Sequence, residues 1–150
     1  MAIADAMTIK VVSVDPETSV QQAIARMIEA NVGSVAVCEP GERLVGIFTE
    51  RDVLRLAGEG RNFGERKISD VMTRALITVT PDEDILPVAR LMGERRIRHL
   101  PVVEDGHLLG MVGIRDVLGA LVERAWTHDE TARDTAHELL RRPAAEREAR

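Results

Sequence analysis

The chain has 150 residues, 45% hydrophobic and 30% charged, with a formal net charge of −5. That is enough chain for a globular core. It is too acidic for a protein that holds a nucleic-acid duplex by its phosphates, and Phe48, Phe63 and Trp126 give bases little to stack on. Cys38 stands alone, which excludes an internal disulfide and a cysteine zinc site.

The opening residues lack the basic and apolar regions of a signal peptide. No apolar run approaches the roughly 18 residues of a membrane span. The expected setting is cytoplasmic, with no nucleic-acid duplex and no membrane as partner.

The chain repeats itself. Met7-Thr8, Val14, Pro16, Met27, Val37 and Gly41 recur 65 residues later as Met72-Thr73, Val79, Pro81, Met92, Val102 and Gly106. Past that glycine the spacing is 64, and Leu44, Gly46 and Arg51-Asp52-Val53-Leu54 return as Leu108, Gly110 and Arg115-Asp116-Val117-Leu118. A one-residue change at a turn is what a duplicated hairpin tolerates.

Each copy opens on an extended piece, Val11-Val12-Ser13-Val14 or Leu76-Ile77-Thr78-Val79, closed by a proline region. A helix follows. Val20, Ala23, Ile24, Met27 and Ile28 form one apolar stripe, as do Ile85, Val88, Ala89 and Met92, with Ser19 and Asp84 at the N-cap positions. Pro87 falls in the first turn of the second of these helices, where a missing N–H costs little.

Two strands come next in each copy. Val35 to Cys38 and Leu44 to Phe48 flank one glycine turn; Leu100 to Val103 and Leu108 to Val112 flank the other. Pro101 places its strand at an edge or at a strand start. A second helix is predicted from near Glu50 and from near Arg115, the latter running to about Trp126.

The fold class is therefore α/β (α+β), with two β-α-β-β-α repeats. One such unit is too small to bury a sufficient core alone. The pair is expected to pack sheet to sheet with approximate two-fold symmetry. The divisions are residues 1–60, a linker at 61–69, residues 70–126, and a charged tail or docked helix at 127–150.

The ordered series Asp70-Val71-Met72-Thr73, Val79-x-Pro81, an amphipathic helix ending in methionine, Leu100-Pro101-Val102-Val103, a glycine turn and Arg115-Asp116-Val117-Leu118 resembles the CBS domain (cystathionine β-synthase domain). The resemblance covers roughly residues 3 to 120, twice over. It implies clefts that bind AMP, ADP, ATP or S-adenosylmethionine as regulatory ligands, a homodimer, and an effector protein as partner. Other members of the family bind no known ligand and serve as docking scaffolds.

The resemblance also implies site residues. The family's ribose motif is matched by Gly46-Ile47-Phe48-Thr49-Glu50-Arg51-Asp52, and by Gly110 to Asp116 except that Gly113 replaces the threonine. Asp52 and Asp116 are the expected ribose ligands, since a carboxylate accepts from both hydroxyls of a diol. Thr49-x-x-Asp52 is equally a capping box, and that reading stays open. Thr49, Arg98, His99, Arg115, Arg51 and Ser34 are the expected phosphate contacts, with positive charge concentrated in the second repeat. Val12, Ser13, Ile77, Thr78 and Pro101 are the expected adenine contacts; Val12, Ser13, Ile77 and Thr78 read equally well as ordinary strand residues.

The four histidines show no metal-ligand spacing, and no nucleophile–base pair is legible. Cys38 reads as an inert buried thiol. The expectation is a regulator, not an enzyme.

Overall fold

The structure is a computed structural model, and it describes residues 1–60, 62–74, 76–126 and 130–140. Of the expected tail, residues 127–129 and 141–150 lie outside the described residues. The contacts form two compact units. One is Thr8–Val79 with Pro101–Met111; the other is Met1–Met7 with Thr80–Leu100 and the residues from Val112 onward.

The first unit holds β1 (Ser13–Val14), α1 (Val20–Ala30), β2 (Ser34–Glu39), β3 (Arg43–Thr49), α2 (Glu50–Gly58) and α3 (Ile68–Val71). It also holds most of β4 (His99–Glu104) and β5 (His107–Gly113). The strands run in the order β1-β2-β3-β5-β4. β2 is buried on both faces. Val35 and Val37 join Val20, Met27, Phe48 and Ile68 in one cluster, while Ala36 and Cys38 join Ile47, Leu108 and Met111 in another. That is the period of two expected of a strand covered on both sides.

The α/β class and the paired repeats stand as expected from the sequence. The turn ends of the two hairpins meet where Leu44 N–H donates to Gly106 O (3.2 Å) and Leu108 N–H to Glu42 O (2.8 Å), around the single β3–β5 pair Arg43 with His107.

The change of spacing from 65 to 64 has its cause in these hairpins. Asp105 (φ 52°) and Gly106 (φ 79°) make a two-residue turn, both with positive φ, as a type I′ hairpin requires. The first hairpin uses Pro40, Gly41 and Glu42 instead and shifts register between Val37 and Cys38.

The opening extended pieces are shorter than expected. Ala36 N–H donates to Val12 O (3.0 Å), which starts a two-residue β1. The equivalent of Ala36 is Pro101, which has no N–H to offer Ile77 O. Pairing there shrinks to a single bridge, Val79 with Val102, and Leu76, Ile77 and Thr78 form no strand. β4 lies at the sheet edge, as Pro101 predicted.

The second unit holds α4 (Ile85–Arg95), α5 (Ile114–Trp126) and α6 (Glu130–Leu140). α6 packs on α5 and α4 through buried Ala132, Thr135 and Ala136, so the tail supplies a docked helix. Among the described residues, no helix is long and apolar enough to cross a membrane.

Each repeat lends its first segment to the other. Ile3 N–H donates to Glu83 O and Ala4 N–H to Pro81 O, both at 2.9 Å, while Ile85 N–H returns to Met1 O (3.0 Å). Sixty-five residues along, in the first unit, Ile68 N–H donates to Thr18 O (2.8 Å), Ser69 N–H to Pro16 O (3.2 Å), and Val20 N–H to Arg66 O (2.9 Å). The exchange explains why the compact units interleave the repeats.

Candidate functional site

The first repeat's candidates gather where β2 starts and α2 begins. Ser34 pairs with Thr49 across the hairpin, and Glu50 N–H donates to Gly33 O (3.0 Å). Asp52 lies one turn into α2 and is 6% exposed. Both oxygens of its carboxylate are engaged. Oδ2 accepts Thr49 N–H at 2.9 Å and the Thr49 hydroxyl at 3.4 Å. Oδ1 accepts Arg55 Nη2 at 3.2 Å, and the same nitrogen donates to Val71 O at 3.3 Å. Thr49 stands at the N-cap position, and its hydroxyl donates to Asp52. Arg51 is exposed.

Val12 and Ser13 are half-buried on and beside β1. Ser13 O accepts Arg26 Nη1 at 2.7 Å. Ser13, Arg26, Cys38 and Glu42 border an open cavity of about 360 Å³ at the hairpin end of β2. Ser34 and Asp52 do not line it. Burial, and then the Glu42 carboxylate, push the Cys38 thiol up to about 11. At neutral pH it is protonated and a poor nucleophile.

In the second repeat, Ile114 N–H donates to Arg98 O (2.8 Å), the counterpart of the Glu50–Gly33 bond. This bond sets Arg98-His99 beside the start of α5. Asp116 Oδ2 accepts Gly113 N–H at 3.0 Å. Among the described residues the Asp116 carboxylate takes no other hydrogen bond, and it is exposed. A Cβ on Gly113 would lie 3.3 Å from Asp116 Oδ2, 3.9 Å from Arg98 O and 3.9 Å from His99 Cδ2. Gly113, the Asp116 carboxylate, the Arg98 carbonyl and the His99 ring thus lie close together. The side chains of Arg98 and Arg115 are exposed.

Ile77, Thr78 and Pro101 belong to the other unit. Val79 N–H donates to Pro101 O (3.0 Å), and Pro101 is buried, Ile77 half-buried and Thr78 exposed.

Sequence reasoning missed one residue of this site. Arg55 engages Asp52, and its counterpart 64 residues on is Gly119. The i,i+3 spacing of Asp52 and Arg55 was the available signal.

The CBS domain matches this chain twice, at residues 3–59 and 68–123. The chain is 44% identical over 111 residues to the mitochondrial CBS domain-containing protein CBSX3 of Arabidopsis thaliana, covering 71% of this chain and 54% of that protein. This chain therefore spans about half the length of that relative. It is 35% identical over 117 residues to the CBS domain-containing protein YhcV of Bacillus subtilis, covering 77% of this chain and 82% of that one. Among solved structures, CBSX2 in complex with AMP superposes with a TM-score of 0.74 at 30% identity, covering 83% of this chain and 98% of that one.

Proposed function

We propose, for a chain that belongs to the CBS-domain family, that it binds an adenosine nucleotide as a regulatory ligand. It acts through an effector protein and catalyses nothing itself. One observation carries the reading: Asp116 presents a carboxylate oxygen that takes no hydrogen bond among the described residues, beside His99 and the main chain of Arg98. A carboxylate suits the ribose diol, and the α5 N-terminus with Arg98 and Arg115 suits phosphate. Thr49, Arg51 and Ser34 are the weaker set of the first repeat. The AMP held by CBSX2 supports the ligand class. A homodimer in the cytoplasm is part of the same proposal.

The test is a thermal shift screen followed by calorimetry. AMP, ADP, ATP or S-adenosylmethionine raises the melting temperature if it binds the native state. Asp116→Ala is expected to weaken that binding at least about tenfold, roughly 1.4 kcal/mol. Unchanged affinity would refute the assignment of Asp116.

A second reading has its own observation. Both aspartates accept the amide at the N-terminal end of their own helix, which is a capping role complete without ligand. A dimerisation or docking scaffold needs no more than that. A flat panel at millimolar nucleotide would favour it.

A further inference from the structure

We propose that Arg55 keeps the first repeat's aspartate out of service, so that the chain works with a single nucleotide site, the one at Asp116. The inference rests on the nucleotide reading above and adds which half carries it and why.

The two aspartates occupy equivalent positions and make the same backbone bond, to Thr49 N–H and to Gly113 N–H. They differ in everything else. Asp52 is 6% exposed and spends its second oxygen on Arg55. Arg55 is itself anchored, because the nitrogen that grips Asp52 also donates to Val71 O at the end of α3. A ribose diol approaching Asp52 would have to displace a charge-assisted bond. Among the described residues Asp116 meets no such competitor, and a glycine stands where the guanidinium would be. Gly33 and Ser34 leave the first repeat without the cationic side chain that Arg98 provides in the second. The side chain that closes one carboxylate and the glycine that frees the other are therefore a matched pair.

The same pair supplies the experiment. Gly119 is exposed and a Cβ on it meets nothing within 4 Å, so the Gly119→Arg side chain leaves the helix without a clash at its first atom. Glycine is also the poorest ordinary helix former, so the substitution is expected to leave the melting temperature level or higher. AMP is titrated into the full chain by calorimetry. Wild type is expected to take up a single AMP per chain. Gly119→Arg is expected to bind AMP at least about tenfold more weakly, while Gly119→Ala keeps the wild-type affinity. Arg55→Gly is expected to admit a second, weaker AMP that Asp52→Ala in the same chain removes.

Gly119→Arg that is folded and binds AMP as wild type does would overturn the proposal. So would a wild-type chain that takes up two AMP, or one whose single AMP is lost with Asp52→Ala and kept with Asp116→Ala. A wild-type chain that binds no AMP at any concentration, with the other nucleotides equally silent, brings down the nucleotide reading and this inference together.

Discussion

The two repeats share a main chain and put different side chains on it. Glu50 N–H to Gly33 O and Ile114 N–H to Arg98 O are one bond made twice. The exchanged first segments make three more such pairs. Yet Phe48 stands where Val112 stands, Ser19 where Asp84 does, Cys38 where Val103 does, and Arg55 where Gly119 does. Backbone groups must be paired whatever residue carries them, so they hold a duplicated frame in place. Side chains on that frame are free to diverge, and here the divergence has left one carboxylate closed and the other open.

The largest test of this contrast is in the core. Phe48 and Val112 are equivalent, and both are 0% exposed. Phe48→Ala is expected to cost about 3–5 kcal/mol, because it removes a ring from a cluster that also packs Val35, Val37 and Ile68. Val112→Ala removes far less volume and is expected to cost less. Urea denaturation of both variants decides it; equal losses would mean the repeats share one undivided core and the contrast is superficial.

A smaller effect separates the helix starts. Ser19 Oγ accepts Gln22 N–H and Gln22 Oε1 accepts Ser19 N–H, both at 3.1 Å, which is a complete capping box. Asp84 occupies the same place on α4 and makes no cap bond; its Oδ1 takes the N-terminal ammonium at 3.5 Å. Ser19→Ala is therefore expected to cost about 1 kcal/mol. Asp84→Ala removes no cap but breaks two ion pairs, to the N-terminal ammonium (3.5 Å) and to Arg124 Nη1 (3.9 Å), and is expected to cost less, about 0.5 kcal/mol. Similar denaturation midpoints for the two variants would erase the distinction.

What the sequence made legible follows the same division. The helices, both hairpins and the one-residue difference between them were readable, because apolar period and glycine turns leave a signature in residue type. The exchange of first segments was not. It is written in backbone bonds such as Ile3 N–H to Glu83 O, which any residue can make. The lost strand at Leu76 to Thr78 was half legible. Pro101 pointed to a sheet edge, and it also deprives the facing chain of a donor. At the site, the ribose motif named Asp52 and Asp116 alike. Motif matching ranks Asp52 higher because its match is complete, whereas geometry makes Asp116 the more available. Thr49 completes the motif and also ties down the carboxylate, and Arg55, outside the motif, finishes the closure.

The smallest effect concerns Cys38 and pH. Its thiol titrates near 9.0 when unfolded and at about 11 in the fold, raised by burial and then by Glu42. Between those values the unfolded chain gives up a proton that the native chain keeps. The native state then holds more protons than the unfolded state, so stability falls as pH rises through this window and is untouched below it. Cys38→Val, which copies Val103 of the other repeat, removes the titrating group and with it this part of the slope. The Lys67 ammonium, kept protonated to higher pH by its hydrogen bond to the Glu17 carboxylate, is present in both proteins and cancels in the difference. Denaturation midpoints from pH 8 to 11 should therefore converge or cross for the two proteins, with wild type losing ground. Parallel curves would mean that the thiol reaches solvent as a thiolate in the folded chain, and that β2 is less closed on its Cys38 face than its 8% exposure implies.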